Sequence, residues 1–262
     1  MTWTAVVLAG GRGSRLGGLD KARLTINGEM LIERAIRSLA HESNTTSERS
    51  DGVPAAQRPA PVAIIVVGPV VSLTVGYASR STPPPALAGS DDDQGQGPVV
   101  HYVREHPEFG GPVAAIAAAL PLVRTPLIGV LAVDMPYAAV LLDHLFACLA
   151  ASEEHETAIG RAPGTTASAP GAVACDGVGR IAPVAVLRTP LLRQRIASFD
   201  VDGGPANRSL RALVDLPGMI RVTIPEADTH LLSDIDTPED LDNARRGEAL
   251  PGRGVNGDLS QR

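Results

Sequence analysis

The chain has 262 residues, 44% of them hydrophobic and 3% aromatic, with a formal charge of −6 at pH 7. That length suits one large α/β domain or two small ones, with a core built from Ala, Val, Leu and Ile. The acidic balance, without any Lys/Arg run, argues against a nucleic-acid partner; Cys148 and Cys175 lack zinc-type spacing, and no apolar run is long enough to span a bilayer. The start of the chain shows no basic, signal-like segment, so the expectation is a cytoplasmic protein with reduced thiols and no membrane partner.

Residues 4–9 form a short apolar run ending in Gly10-Gly11, the pattern of a buried parallel strand. Residues 31–39 carry Leu31, Ile32, Ala35, Ile36 and Leu39 at helical spacing. A polar stretch rich in Ser, Thr, Ala and Pro, 41–61, predicts a flexible insertion. A buried strand follows at 62–67, then a second low-complexity loop at 79–98 and a short strand at 99–103. Gly110-Gly111-Pro112 opens a small-residue helix over 112–122, with proline near the first turn, where its missing N–H is harmless. A fourth strand, 127–133, ends at Asp134, and a helix covers 138–150. This alternation of strand and helix predicts an α/β fold with a mostly parallel sheet and crossover helices, whose ligands bind beyond the carboxyl ends of the strands.

The second half is less regular. Residues 171–176 and 181–187 read as a hairpin, 191–196 and 209–213 as short helices, and 219–224 as a strand. Residues 231–236 run into Thr237-Pro238-Glu239-Asp240, a helix start with threonine as cap and acids at the positive end of the dipole. The Gly/Pro/Arg-rich tail 247–262 is expected to be disordered.

Chemistry concentrates in the loop 8–21, Leu-Ala-Gly-Gly-Arg-Gly-Ser-Arg-Leu-Gly-Gly-Leu-Asp-Lys, which holds five glycines and three cations. Glycine lets backbone N–H groups approach a phosphate without a Cβ clash, and Arg12, Arg15 and Lys21 supply charge to offset it. The loop lacks the Gly-Lys-Ser/Thr of a P-loop, and Leu16 stands where a dinucleotide fingerprint needs glycine. The simpler alternative is a glycine-rich turn with solvated arginines. Asp134 reads either as a helix cap or as a magnesium ligand. In Asp234-Ile235-Asp236 alternation puts both carboxylates on one face, for helix-end electrostatics or for a metal.

The loop resembles the signature of nucleotidyltransferases that activate sugars and cofactors with nucleoside triphosphates. Within them it looks most like the molybdenum cofactor guanylyltransferase (MobA-like) family, on Gly10 and on the stretch from Arg15 through Gly17-Gly18 and Asp20 to Lys21. The resemblance resumes at Gly111-Pro112-Val113-Ala114, Val133-Asp134-Met135-Pro136, Arg208-Ser209-Leu210-Arg211 and 234–241. It implies a three-layer, doubly wound, Rossmann-like nucleotidyltransferase fold, one domain over 1–246.

It also implies transfer of GMP from GTP to the phosphate of a molybdopterin-type acceptor, with magnesium as cofactor. Arg15, Lys21 and Asp134 are the implied catalytic residues. Leu8, Ala9, Gly10, Gly11, Arg12, Gly13, Lys21, Glu105 and Gly111 are the implied nucleotide-binding residues, and Asp134 and Asp236 the metal ligands. Arg208 and Arg211 are candidates for the acceptor phosphate, or equally for surface arginines of a helix.

Three departures keep alternatives open. Asp-x-Asp at 234–236 is more like cytidylyltransferase relatives. Glu105 replaces an aspartate, and Gly68-Pro69 stands where the guanylyl branch has an asparagine. A cytidylyl or sugar-phosphate nucleotidyltransferase, or a nucleotide-binding module without catalysis, therefore stays open.

Overall fold

A computed structural model describes residues 1–11, 13, 16–40, 58–73, 79–81, 98–158 and 168–246. The expected insertions therefore fall mostly outside the described residues, at 41–57 and 82–97, as do the tail 247–262, Arg12 and Arg15.

The chain runs through β1 (Trp3–Leu8), a small hairpin of β2 (Thr25–Ile26) and β3 (Glu29–Met30), and helix α1 (Leu31–Ala40). Then come β4 (Ala63–Val67), β5 (Ser79–Ser81), β6 (Val99–Val103), α2 (Gly111–Ala119), β7 (Leu127–Ala132) and α3 (Ala138–Ala158). The remainder is β8 (Gly171–Cys175), β9 (Ile181–Arg188), α4 (Thr189–Ser198), α5 (Arg211–Val214), β10 (Ile220–Thr223) and α6 (Pro238–Arg246).

One sheet takes eight of these strands in the order β10-β8-β9-β7-β1-β4-β6-β5. All neighbours pair parallel except around β9, which runs antiparallel to both β7 and β8. β1 lies between β4 and β7. The chain winds outward from β1 on one side and returns through β7 on the other, which makes the carboxyl ends of β1 and β7 a switch point.

The two-residue period of each strand divides the apolar residues between two cores. Trp3, Ala5 and Val7 face one core with α1 and α3, while Val6 faces the other with α2, α4 and α5. The result is the doubly wound, three-layer arrangement. Among the described residues no helix is long and apolar enough to cross a membrane.

Two features depart from the expectations. Ser79–Ser81 is an edge strand parallel to β6 rather than loop. The first insertion ends earlier than expected, because Arg58 is 1% exposed. Its Nε donates to Asp143 Oδ1 at 2.5 Å, and its Nη atoms donate to the carbonyls of Leu39 and Ser38, each at 3.2 Å. The guanidinium lies 5.2 Å from the Trp3 ring centroid, and Trp3 Nε1 donates to Pro59 O at 2.8 Å. A cation on the last carbonyls of α1 offsets the negative end of that helix. Arg58 is thus a clip joining β1, α1 and α3, which a residue in a polar, proline-rich stretch gives no sign of.

Candidate functional site

β1 delivers the chain to Ala9, whose N–H donates to Val67 O at 2.8 Å, and Val133 N–H donates to Leu8 O at 3.0 Å. The ends of β4, β1 and β7 are thereby locked side by side beneath the glycine loop. Gly13 has φ 54, and a Cβ there would come within 2.2 Å of Leu19 O, so no other residue fits. Its carbonyl accepts from the N–H groups of Leu16 and Gly18 at 2.8 and 2.9 Å, which folds the loop back on itself. Asp20 then caps a 3-10 turn, Lys21–Arg23, by accepting from Ala22 N–H. That turn aims Lys21 across the switch point.

Lys21 Nζ donates to Asp134 Oδ2 at 2.7 Å and to Asp236 Oδ1 at 2.5 Å. These residues lie far apart in the chain, and the fold brings all three together. Burial pushes the Lys21 ammonium down, but the charge and hydrogen bonds of Asp134, joined by those of Asp236, outweigh it and hold the group above the ordinary lysine value. Asp236 is positioned by a reciprocal cap at the start of α6. Asp240 Oδ2 accepts from the N–H groups of Asp236 and Thr237 at 3.1 and 2.8 Å, and Thr237 Oγ1 accepts from Asp240 N–H at 3.2 Å. Among the described residues no third His, Cys, Asp or Glu joins the two carboxylates.

Beside this cluster is an open cleft of about 240 Å³, walled by Gly10, Gly11, Asp20, Gly68, Glu105 and Phe109. Glu105 is 5% exposed. Its Oε1 accepts from Phe109 N–H at 3.1 Å, while Oε2 is buried and, among the described residues, without a hydrogen-bond partner. A Cβ on residue 10 would lie 3.0 Å from Glu105 Oε1 and 3.3 Å from Oε2, so the longer glutamate occupies space that Gly10 leaves open. Residue 68 cannot carry an asparagine side chain: a Cβ on Gly68 would come within 2.9 Å of Ala9 C.

Of the nucleotide-binding residues expected from the sequence, Ala9, Gly10, Gly11 and Glu105 share this cleft. Leu8 lies beneath it as the end of β1, and Gly13 holds the loop's turn. Gly111 begins α2 outside the cleft wall, with φ 86 and its Cα turned to the backbone of Asn207 and Arg208. Arg208, a candidate for the acceptor phosphate or for a surface position, is engaged within its own loop. Its guanidinium donates to the carbonyls of Gly204 and Asp202, each at 2.8 Å, and lies 4.4 Å from the Phe199 ring centroid, bracing its own loop. Arg211 begins α5. Phe109 was not anticipated. The only hint in the sequence is a large apolar residue directly before Gly110-Gly111.

A family model described as MobA-like NTP transferase domain matches residues 5–217. A molybdenum cofactor guanylyltransferase of Acidiphilium cryptum (strain JF-5) is 41% identical over 51 residues, covering 20% of this chain and 26% of that protein, so the match spans about a quarter of the relative's length. Among solved structures, the 4-diphosphocytidyl-2C-methyl-D-erythritol synthase of Anaerococcus prevotii DSM 20548 shares the fold, with TM-score 0.54, 10% identity and coverage of 94% of this chain and 95% of that one. Molybdopterin-guanine dinucleotide biosynthesis protein A of Archaeoglobus fulgidus aligns over 93% of this chain and 97% of its own, at 18% identity and TM-score 0.49.

Proposed function

The chain belongs to the MobA-like NTP transferase family, and we propose that it transfers GMP from GTP to the phosphate of a molybdopterin-type acceptor. The observation that carries the choice of base is Glu105 Oε2, a buried acceptor without a partner among the described residues, in the cleft beside the glycine loop. A buried carboxylate oxygen without a hydrogen bond is costly. Guanine offers two adjacent donors, its ring N1–H and exocyclic N2–H, which suit a carboxylate. Cytosine offers one donor beside an acceptor, and an acceptor facing Glu105 is repelled. The 41% identical stretch of the Acidiphilium protein points the same way.

In the proposed reaction an acceptor phosphate oxygen attacks the α-phosphorus in line. A new P–O bond forms, the bond from the α-phosphorus to the oxygen bridging to the β-phosphate breaks, and pyrophosphate leaves with that electron pair. The acceptor phosphate is already ionised at neutral pH, so the chain need not supply a strong base. Backbone N–H groups of Gly10, Gly11 and Gly13 orient the triphosphate, and Lys21 and Arg15 offset its charge.

The residues present suit magnesium. Asp134 and Asp236 are hard oxygen donors, and the Lys21 ammonium bridging them marks their shared position as one that favours a cation. Asp134 and Asp236 would hold a magnesium ion there, and it would supply positive charge to offset that of the triphosphate. Lys21 would then turn from the carboxylates to the phosphates.

The test is thermal melting with magnesium and GTP, CTP, ATP or UTP, followed by pyrophosphate release with molybdopterin. A nucleotide at about a hundred times its dissociation constant stabilises the native state by roughly 2.7 kcal/mol. The expected result is a shift selective for GTP and acceptor-dependent pyrophosphate release. A shift selective for CTP overturns the guanylyl reading, and binding without pyrophosphate release overturns transfer.

A further inference from the structure

We propose that Phe109 is the stacking platform for the nucleobase, a binding residue that holds the face of the base while Glu105 holds its edge. The inference rests on the reading of the Gly10–Glu105 cleft as the base site.

Phe109 has φ 60, a left-handed conformation that bulky side chains seldom adopt and glycine adopts freely. The next two residues, Gly110 and Gly111, are glycines, yet the strained position keeps a phenylalanine. The residue is 41% exposed. Strain and exposure together at an apolar residue that lines a cleft point to function.

The position of Phe109 supplies the rest. It lines the same cleft as Gly10 and Glu105. Its N–H donates to Glu105 Oε1 at 3.1 Å, and Glu105 Oε2, buried beside it, has no hydrogen-bond partner among the described residues. One short segment, 105–109, therefore contributes both an acceptor for a base edge and an aromatic ring for a base face. Base–aromatic stacking is sequence-tolerant, because every base has a π-face. Here it adds affinity, and the carboxylate adds the choice between purines.

The experiment uses the full chain and isothermal titration with magnesium and GTP, on wild type, Phe109→Gly, Phe109→Leu and Phe109→Tyr. Phe109→Gly relieves the left-handed backbone, so its melting temperature should hold or rise, while its GTP affinity should fall about tenfold or more. Phe109→Leu keeps apolar bulk and should lose affinity similarly, and Phe109→Tyr should retain it. Phe109→Trp adds a direct readout, since its fluorescence should be quenched by GTP against the constant signal of fully buried Trp3. Wild-type binding of GTP with unchanged affinity in Phe109→Gly and Phe109→Leu overturns the role of Phe109 alone. Failure of wild type to bind any nucleotide overturns the reading of the cleft, and the stacking role with it.

Discussion

Ile235 donates its main-chain N–H to the main-chain carbonyl of Asp134 at 2.9 Å. This bond ties the loop before α6 to the end of β7. It is what brings Asp236 to within reach of the same lysine that Asp134 meets. Neighbouring carboxylates repel one another, a cation between them offsets that repulsion, and without ligand Lys21 is such a cation.

Lys21→Met should therefore expose the repulsion. Stability without divalent ions should fall by about 1–2 kcal/mol, or roughly 2–8 °C in melting temperature. Magnesium should restore part of it. Turnover should drop about ten- to a thousandfold, the loss of one preorganised charge. A melting temperature in EDTA equal to wild type would show that the bridge contributes nothing to the resting protein.

Glu105→Gln should separate stability from base choice. It replaces a buried carboxylate whose Oε2 lacks a partner among the described residues, so the melting temperature should hold or rise by about 2–4 °C. The amide oxygen takes the Phe109 N–H, which turns the amide NH₂ toward the base, donor against donor. GTP affinity should fall about tenfold or more. Titration of the variant with GTP and CTP reads this directly.

Gly10→Ala places a methyl 3.0 Å from Glu105 Oε1, tighter than normal van der Waals contact. Glu105 must shift, and its bond from Phe109 must lengthen. GTP binding should weaken by about tenfold with little change in folding stability. The paired variant Gly10→Ala/Glu105→Asp, with the shorter acid, should recover part of the affinity. No recovery would show that the two residues are not matched in size.

Burial holds the Cys148 thiol above its ordinary value of 9.0. Burial does the same at Cys175, where Arg221 opposes it and Asp176 adds to it. Both should remain protonated at pH 8, unreactive to iodoacetamide until the chain unfolds. The folded chain holds these protons more tightly than the unfolded one. Their contribution to stability is therefore full below the unfolded thiol pKa and is lost as pH rises through the folded values. Melting temperatures should hold to about pH 8 and decline above it.

The sheet was legible because each buried strand is a short apolar run bounded by glycine, proline or aspartate, and the main helices because their apolar residues repeat at helical spacing. Ser79–Ser81 escaped because three polar residues at a sheet edge show no alternation. Arg58 escaped because a lone arginine in a polar stretch gives no sign of burial. In the cleft, residue types were readable but relationships were not. Lys21 meeting Asp236, 215 positions away, depends on the whole sheet being assembled. That Glu105 keeps one oxygen without a partner among the described residues, and that Phe109 is left-handed, are properties of packing and backbone with no local pattern to announce them.

The Arg58 clip has a practical consequence. The chain leaves α1 at Ala40, and Arg58 is held on that helix's last turn, so residues 40 and 58 lie at one place. Each doubling of the length inserted between two such fixed points costs only about 0.6 kcal/mol of closure entropy. This spot, at the opposite end of β1 from Gly10, is a natural port for grafting a tag or a reporter domain while the nucleotide end of the sheet is left alone.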